Sequence, residues 1–512
     1  MSERLNVMLV TAVVVASWFA PLLAAQDGGL PDPGALSEQS EKCVGCHEEY
    51  TPGIVADWRM SRHAVTTPEE ALAKPTIQRR VSNDAVPEPL RATVVGCFEC
   101  HGLNTAAHQD TFNHYGFEIN VVVSPNDCAM CHSVEAEQYG RSKKAHALDI
   151  LTKNPVYDLL VDGLTGVESL EGAKLAHHAA TASAKGVACY ACHGTQVTVR
   201  GMKKVYVGED REEEKVPDLA NWPNQGVGRI NPDGSRGACT ACHPRHGFSI
   251  EVARKPFTCA QCHLEPDVPA WDVYRESKHG NIMLSTGQGW DWDEIPWRVG
   301  ADFRAPTCAT CHNSLLASPD EDEIVPRTHD FGDRLWVRLF GLPYAHNQPK
   351  DGRTYLIKNK DGQPLPTAFD GEPATEYLID AKEQDRRRIL MRSVCTSCHS
   401  TSWTNSNLEV LDRIVEETNR ATRTATQIVQ AAWRKGMADP ANPFDESIEH
   451  QWVKQWLFNA TSIRYGTAMM GPDYAAFKNG QWNLTTGLRA MHEKVFSRSE
   501  EVHGTQRNEN DE

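Results

Sequence analysis

WPNQGVGRINPDGSRGACTACHPRHGFSIEVARKPFTCAQCH, residues 222–263, decides how this chain must be built. It holds two Cys-x-x-Cys-His motifs, Cys239-Thr-Ala-Cys242-His243 and Cys259-Ala-Gln-Cys262-His263, with His246 between them. Two cysteines three positions apart share one helical turn and can form thioethers with both vinyl groups of a heme. The adjacent histidine then reaches the iron from the same side.

Working outward, the pattern recurs along the whole chain. The other motifs are Cys43-Val-Gly-Cys46-His47, Cys97-Phe-Glu-Cys100-His101, Cys128-Ala-Met-Cys131-His132, Cys189-Tyr-Ala-Cys192-His193, Cys308-Ala-Thr-Cys311-His312 and Cys395-Thr-Ser-Cys398-His399. All 16 cysteines are used, and every second one precedes a histidine. A disulfide scaffold or zinc sites would also use paired cysteines. Neither requires the histidine after each pair, so the reading is eight covalent c-type hemes.

An electron-carrying heme takes a second axial ligand, whereas a heme that does chemistry keeps that side open. The distal candidates are His63 in DWRMSRHA, His114 in TFNHYG, His146 in YGRSKKAHA, His246 in PRHGFS, His279 in YRESKHG and His329 in PRTHDFG. The adjacent His177 and His178 count as one more, entered as His178. Seven distal ligands for eight motifs predict one open iron. His108, His346 and His450 are the alternatives for the eighth position, and His108 also competes with His114. None of the three repeats the Ser-x-His or Lys-His context.

Only 40% of the 512 residues are hydrophobic, with 36 Gly and 29 Pro, so large apolar hemes would replace part of the side-chain core. The formal charge of -16 argues against nucleic acid and anionic membranes, and for a basic or weakly charged redox partner. Arg4 and the apolar stretch LNVMLVTAVVVASWFA (5–20), followed by small residues at Ala24-Ala25, read as a signal peptide over 1–25. An uncleaved anchor is the alternative. The mature chain is expected in the periplasm.

Motif spacings are irregular, which excludes a fixed-period solenoid. Between motifs the expectation is short helices and loops, mainly α overall, with Asn120–Val123 as a short strand. The acidic runs at 208–215 and 318–323 read as solvated loops. From Asn405 to Met437 apolar positions recur at three- and four-residue intervals, predicting a long helix. Further helices are expected from Glu446 towards Met469 and from Leu484 to Phe496. The division is thus an octaheme domain (26–404), a C-terminal helical region (405–498) that could form a subunit interface, and a polar tail (499–512).

The eight motifs, the 222–263 block, the following PDVPAWDVYRESKHG and the long C-terminal helices resemble the octaheme hydroxylamine oxidoreductase family. That resemblance implies a heme-packed periplasmic homotrimer acting on small nitrogen compounds such as hydroxylamine, hydrazine or nitrite. It implies a soluble cytochrome c or a quinone-linked partner for the electrons. It also implies that the catalytic heme is the fourth, held by Cys189, Cys192 and His193. The family's distal Asp-His pair matches Asp267 and Val268, so the carboxylate is kept and the imidazole is lost. Oxidising members carry a tyrosine crosslinked to the catalytic heme, and Tyr474 or Tyr465 is the counterpart here. Members without that bond tend towards reduction.

Overall fold

The computed structural model describes residues 30–207, 212–340, 347–358 and 375–497. The expected signal peptide, the tail from 499 and His346 lie outside the described residues. The architecture is mainly α, as expected, with short helices around the motifs and long ones at the C-terminal end.

Motif helices are very short. Cys97–His101, Cys189–His193 and Cys308–His312 each have five residues. Such pieces are too short to persist alone, so capping and tertiary packing hold them. At the second motif Glu99, 7% exposed, does this. Its carboxylate accepts the Gly96 N–H at 2.9 Å and the Ser40 hydroxyl at 2.6 Å. Ser40 lies in Glu38–Tyr50, the helix that carries the first motif. One buried acid therefore ties two motifs together.

The β structure among the described residues is four two-stranded antiparallel ribbons. They are β1 (Thr111–His114) with β2 (Phe117–Asn120), β3 (Val167–Glu171) with β4 (Lys174–His178), β5 (Thr198–Val207) with β6 (Glu212–Ala220), and β7 (Leu316–Ala317) with β8 (Glu323–Val325). Two expectations are corrected here. The expected strand at 120–123 ends at Asn120, because Val121 and Val122 donate their N–H groups to Asp110 Oδ2 at 2.9 and 2.7 Å instead of to a neighbouring strand. The acidic run from Glu212 is not a loop but part of β6, where Glu213 pairs with Lys204 across the ribbon at 2.8 Å.

The long helix runs Thr401–Arg434, starting before Asn405 because Ser400 caps it by accepting the Trp403 N–H at 3.3 Å. At 34 residues it is about 50 Å long. Its buried face carries Leu408, Leu411, Val415, Ala425 and Val429, and burying each leucine or valine contributes roughly 1.5–3 kcal/mol. Buried threonines on the same face are satisfied within the helix: Thr418 and Thr426 donate to the carbonyls of Ile414 and Thr422 at 2.7 and 2.9 Å. The next helical run covers 447–468, widening into a π-type stretch at Lys454–Asn459, and Gln481–His492 follows. Val156, Tyr157 and Leu160 of the helix Pro155–Thr165 pack into the same core as Val429, Trp452 and Trp456. The C-terminal helices thus share a core with the motif-bearing part.

Candidate multiheme site

The fourth motif shows how the quoted block works. Val227 and Gly228 donate their N–H groups to the carbonyls of Cys192 and His193 at 2.9 and 3.1 Å. Ile230 donates to Thr195 at 3.0 Å. Backbone lies on backbone here. A Cβ on Gly228 would come within 2.6 Å of the His193 carbonyl, and one on Gly194, at φ +100°, within 2.3 Å of the Arg229 nitrogen. Only glycine permits this approach. Arg229, 1% exposed, locks the loop by donating to Asn231 Oδ1 at 2.6 Å and to the Asn224 carbonyl at 2.9 Å.

Motif histidines are oriented through Nδ1. His193, His132 and His101 place Nδ1 at 3.2, 3.0 and 2.8 Å from the carbonyls of Ala147, Arg80 and Asn120. His47 Nδ1 is 2.8 Å from Thr51 Oγ1. A carbonyl only accepts, so Nδ1 carries the proton and Nε2 keeps its lone pair for a metal. Burial favours the neutral ring as well. It lowers His243 and His312 to about 4 and His263 to about 3.

Distal residues test whether a heme fits. His47 and His114 have ring centroids 6.2 Å apart, His63 and His132 6.2 Å, and His279 and His399 6.1 Å. Two metal–nitrogen bonds of about 2.0–2.1 Å, plus the reach of two rings, account for that separation. His246 is close enough to His101, and His329 to His243, for each pair to disfavour a second charge. The chain therefore fits heme c at these positions. One interior cavity of about 2320 Å³ runs past most of the motifs, well beyond the 300–1,000 Å³ usual for a small-molecule pocket. Thiols of different motifs meet there: Cys128 with Cys239, Cys192 with Cys262, and Cys259 with Cys308.

Five expected distal histidines thus meet a motif histidine, namely His63, His114, His246, His279 and His329. The others do not. His146 directs Nε2 at the Gly140 carbonyl, 3.0 Å away. His177 and His178 lie on the β3–β4 ribbon, engaged with Glu168 at 2.7 Å and Ser169 at 2.6 Å. Among the alternatives, His108 is held between Asp110 and Asp127 at 3.1 and 3.2 Å, which occupies both ring nitrogens. His450 is engaged with the Phe444 carbonyl at 2.8 Å, away from the cavity. The expected deficit of one ligand becomes three, since no described histidine faces His193, His263 or His312 as a distal partner.

Around His193 the cavity wall includes Asp267, Val268 and Tyr465. Loss of bulk water raises the Asp267 carboxyl above its ordinary range, against its own backbone hydrogen bonds and the nearby His193. Desolvation lifts the Tyr465 phenol to about 12, and the charge of Asp267 adds to it. Tyr474, 1% exposed, does not line the cavity, and its hydroxyl donates to Glu265. Sequence reasoning passed over Lys144, whose Nζ is 3.3 Å from His263 Nε2. The signal was present in SKKAHA, where the histidine was read and the lysine was not.

A family model described as seven times multi-haem cytochrome CxxCH matches residues 211–318 and 366–442. A probable nitrite reductase-hydroxylamine oxidoreductase fusion protein of Kuenenia stuttgartiensis is 25% identical over 418 residues, 78% of this chain. The chain spans 38% of that relative's length. Among solved structures, a hypothetical multiheme protein has a TM-score of 0.84 and 42% identity, over 92% of this chain and 97% of its own. The Kuenenia stuttgartiensis reducing HAO-like protein complex shares the fold at a TM-score of 0.59 and 19% identity, over 92% of this chain and 87% of its own.

Proposed function

Because this chain belongs to the multiheme c-type cytochromes and has the fold of the hydroxylamine oxidoreductase-like proteins, we propose that it is a periplasmic octaheme enzyme converting small nitrogen compounds at its fourth heme. The observation that carries this reading is the surroundings of His193: among the described residues none of the non-motif histidines pairs with it, and Asp267 shares its stretch of the cavity. A heme bound there supplies an iron that a nitrogen lone pair can reach and a route for several electrons. The chain's own residues then bind, orient and move protons.

His193 is oriented by the Ala147 carbonyl, 3.2 Å from Nδ1, which leaves Nε2 free to hold an iron. Asp267, whose carboxyl is raised by burial, gives or takes protons as the nitrogen atom changes oxidation state. Val268 makes the wall beside it apolar, so proton traffic falls to Asp267 and to the neighbouring Tyr465. The hydroxyl of Tyr474 is engaged by Glu265 of its own chain, which leaves Tyr465, on the cavity wall beside Asp267, as the tyrosine nearer the fourth motif. The direction proposed is reduction, in keeping with the name of the Kuenenia complex, a reducing HAO-like protein.

Among the described residues no helix is long and apolar enough to cross a membrane. Electrons are proposed to arrive from, or leave to, a soluble cytochrome c or a quinone-linked protein, and the enzyme is proposed to work as a homotrimer. The test is turnover by the purified holoprotein. Reduced viologen should be oxidised on adding nitrite or hydroxylamine. Failure with both, together with no hydroxylamine- or hydrazine-dependent cytochrome c reduction, would leave a pure electron conduit as the reading.

A further inference from the structure

We infer that Lys144 is the distal axial ligand of the heme held by Cys259, Cys262 and His263. The inference rests on the heme-binding part of the proposed function and not on the reaction.

Three observations lead to it. First, the heme-binding nitrogen of His263 has Lys144 Nζ as its hydrogen-bond partner at 3.3 Å, on the side where His47, His132 and His399 have a facing imidazole. Two metal–nitrogen bonds would span about 4 Å, so the flexible amine would draw back by under about 1 Å with a heme in place. Second, Lys144 is half-buried and lines the interior cavity, yet no carboxylate among the described residues forms an ion pair with it. A half-buried amine without a counter-charge is costly unless something else takes its lone pair or its protons. Its other neighbours are His193 and His312, whose charging it opposes from farther off, and the ring of Phe331, 5.1 Å from Nζ, which offers no lone pair; a hydrogen-bond contact from Nζ is made to His263. Third, His146, the nearest histidine in the sequence, is turned away. Its Nε2 lies at the Gly140 carbonyl, and a Cβ on Gly352 would fall 2.6 Å from its ring.

The chemistry is sound for this side chain. A lysine amine donates to a metal only when neutral, so binding releases one proton to the cavity. Lysine accepts that loss more readily than arginine, whose guanidinium stays protonated. A primary amine is also a stronger σ-donor than imidazole and accepts no π density, so the sixth heme would differ electronically from its bis-histidine neighbours. Its thiols sit against Cys192 of the fourth motif and Cys308 of the seventh. The lysine-ligated heme would therefore be the one next to the catalytic heme.

The experiment uses the full holoprotein and its Lys144→Ala, Lys144→Arg and Lys144→His variants, matched for heme content. Ferric electron paramagnetic resonance and near-infrared magnetic circular dichroism count low-spin and high-spin hemes and identify the ligand type. Wild type should show one histidine–amine species. Ala and Arg should lose it and gain one heme equivalent of high-spin iron, while His restores low spin with a bis-histidine signature. Spectra unchanged in the Ala variant would overturn the inference by showing another ligand. An Arg variant identical to wild type would overturn it in favour of a fixed cation. Absence of nitrogen-compound turnover in wild type would defeat the proposed reaction and leave these spectra as they are.

Discussion

His63 and His132 face each other with ring centroids 6.2 Å apart at an interplanar angle of 60°, although one precedes the second motif and the other closes the third. Burial lowers His63 to about 4, and the neighbouring His132 and His243 add to that, so both rings of the pair are neutral donors at physiological pH. Replacing His63 by Ala should convert one heme equivalent from low to high spin, read by ferric electron paramagnetic resonance. The same change at His146, which points at the Gly140 carbonyl, should leave the count alone. An unchanged low-spin count in the His63 variant would refute the pairing.

Asp267 is the acid–base group available beside His193. Asp267→Asn keeps the shape and removes the proton, so turnover of nitrite or hydroxylamine should fall by roughly 10²–10⁴, the usual range for a general acid–base group. The ferric spectrum should not change. A variant with full activity would move proton transfer to Tyr465 or to water.

Gly228 tests the clamp on the fourth motif. In Gly228→Ala the new methyl meets the His193 carbonyl at 2.6 Å and the Leu148 nitrogen at 2.7 Å. Overpacking of this kind costs roughly 1–3 kcal/mol, and more where the neighbours are backbone. The expected result is a lower Tm with a disturbed high-spin signal. Gly53→Ala, with nothing within 4 Å of its Cβ, should be neutral or slightly stabilising.

His108 gives a pH signature. Burial acts against its charge, yet the hydrogen bonds that its ring N–H groups donate to Asp110 and Asp127 prevail and raise it to about 10. A group raised in the folded state contributes its full stability below the unfolded value of about 6.5. That contribution is lost as the pH rises from there towards 10. The Tm difference between wild type and His108→Asn should therefore be largest near pH 6 and shrink steadily up to pH 10. A pH-independent difference would contradict the charged cluster.

Tyr474→Phe removes the hydroxyl that donates to Glu265. It should cost about 1–2 kcal/mol of stability, seen as a small fall in Tm. Heme spectra and the mass of the denatured chain should be unaltered. A change in the high-spin band would show instead that this tyrosine reaches the catalytic heme.

Much of the molecule is legible in the sequence because its information is local. Thioether formation needs two cysteines on one turn with histidine beside them, and that geometry is written into five consecutive residues such as Cys189–His193. The long helix is equally legible, since Leu408, Leu411 and Val415 repeat on one face; its bounds differ from the expected 405–437, starting at Thr401 because Ser400 caps it and ending at Arg434. Strands were harder. The ribbon β5–β6 depends on cross-strand charge pairs such as Lys204 with Glu213, which look in sequence like a solvated run.

Distal ligation is not local, and there the sequence left alternatives open. His108 and His114 lie six residues apart in similar polar surroundings, but Asp127 and Asp233, brought in from remote segments, enclose the first. The β1–β2 turn carries the second to His47. Lys144 and His146 are separated by one residue, and tertiary packing alone turned the lysine to His263 and the histidine to Gly140. The sequence by itself therefore determined where each heme would attach and which histidine would hold it from the near side. Only the tertiary structure decided which side chain stands opposite each motif histidine, because that residue arrives from a distant segment whose direction is set by packing, buried charge and backbone contact.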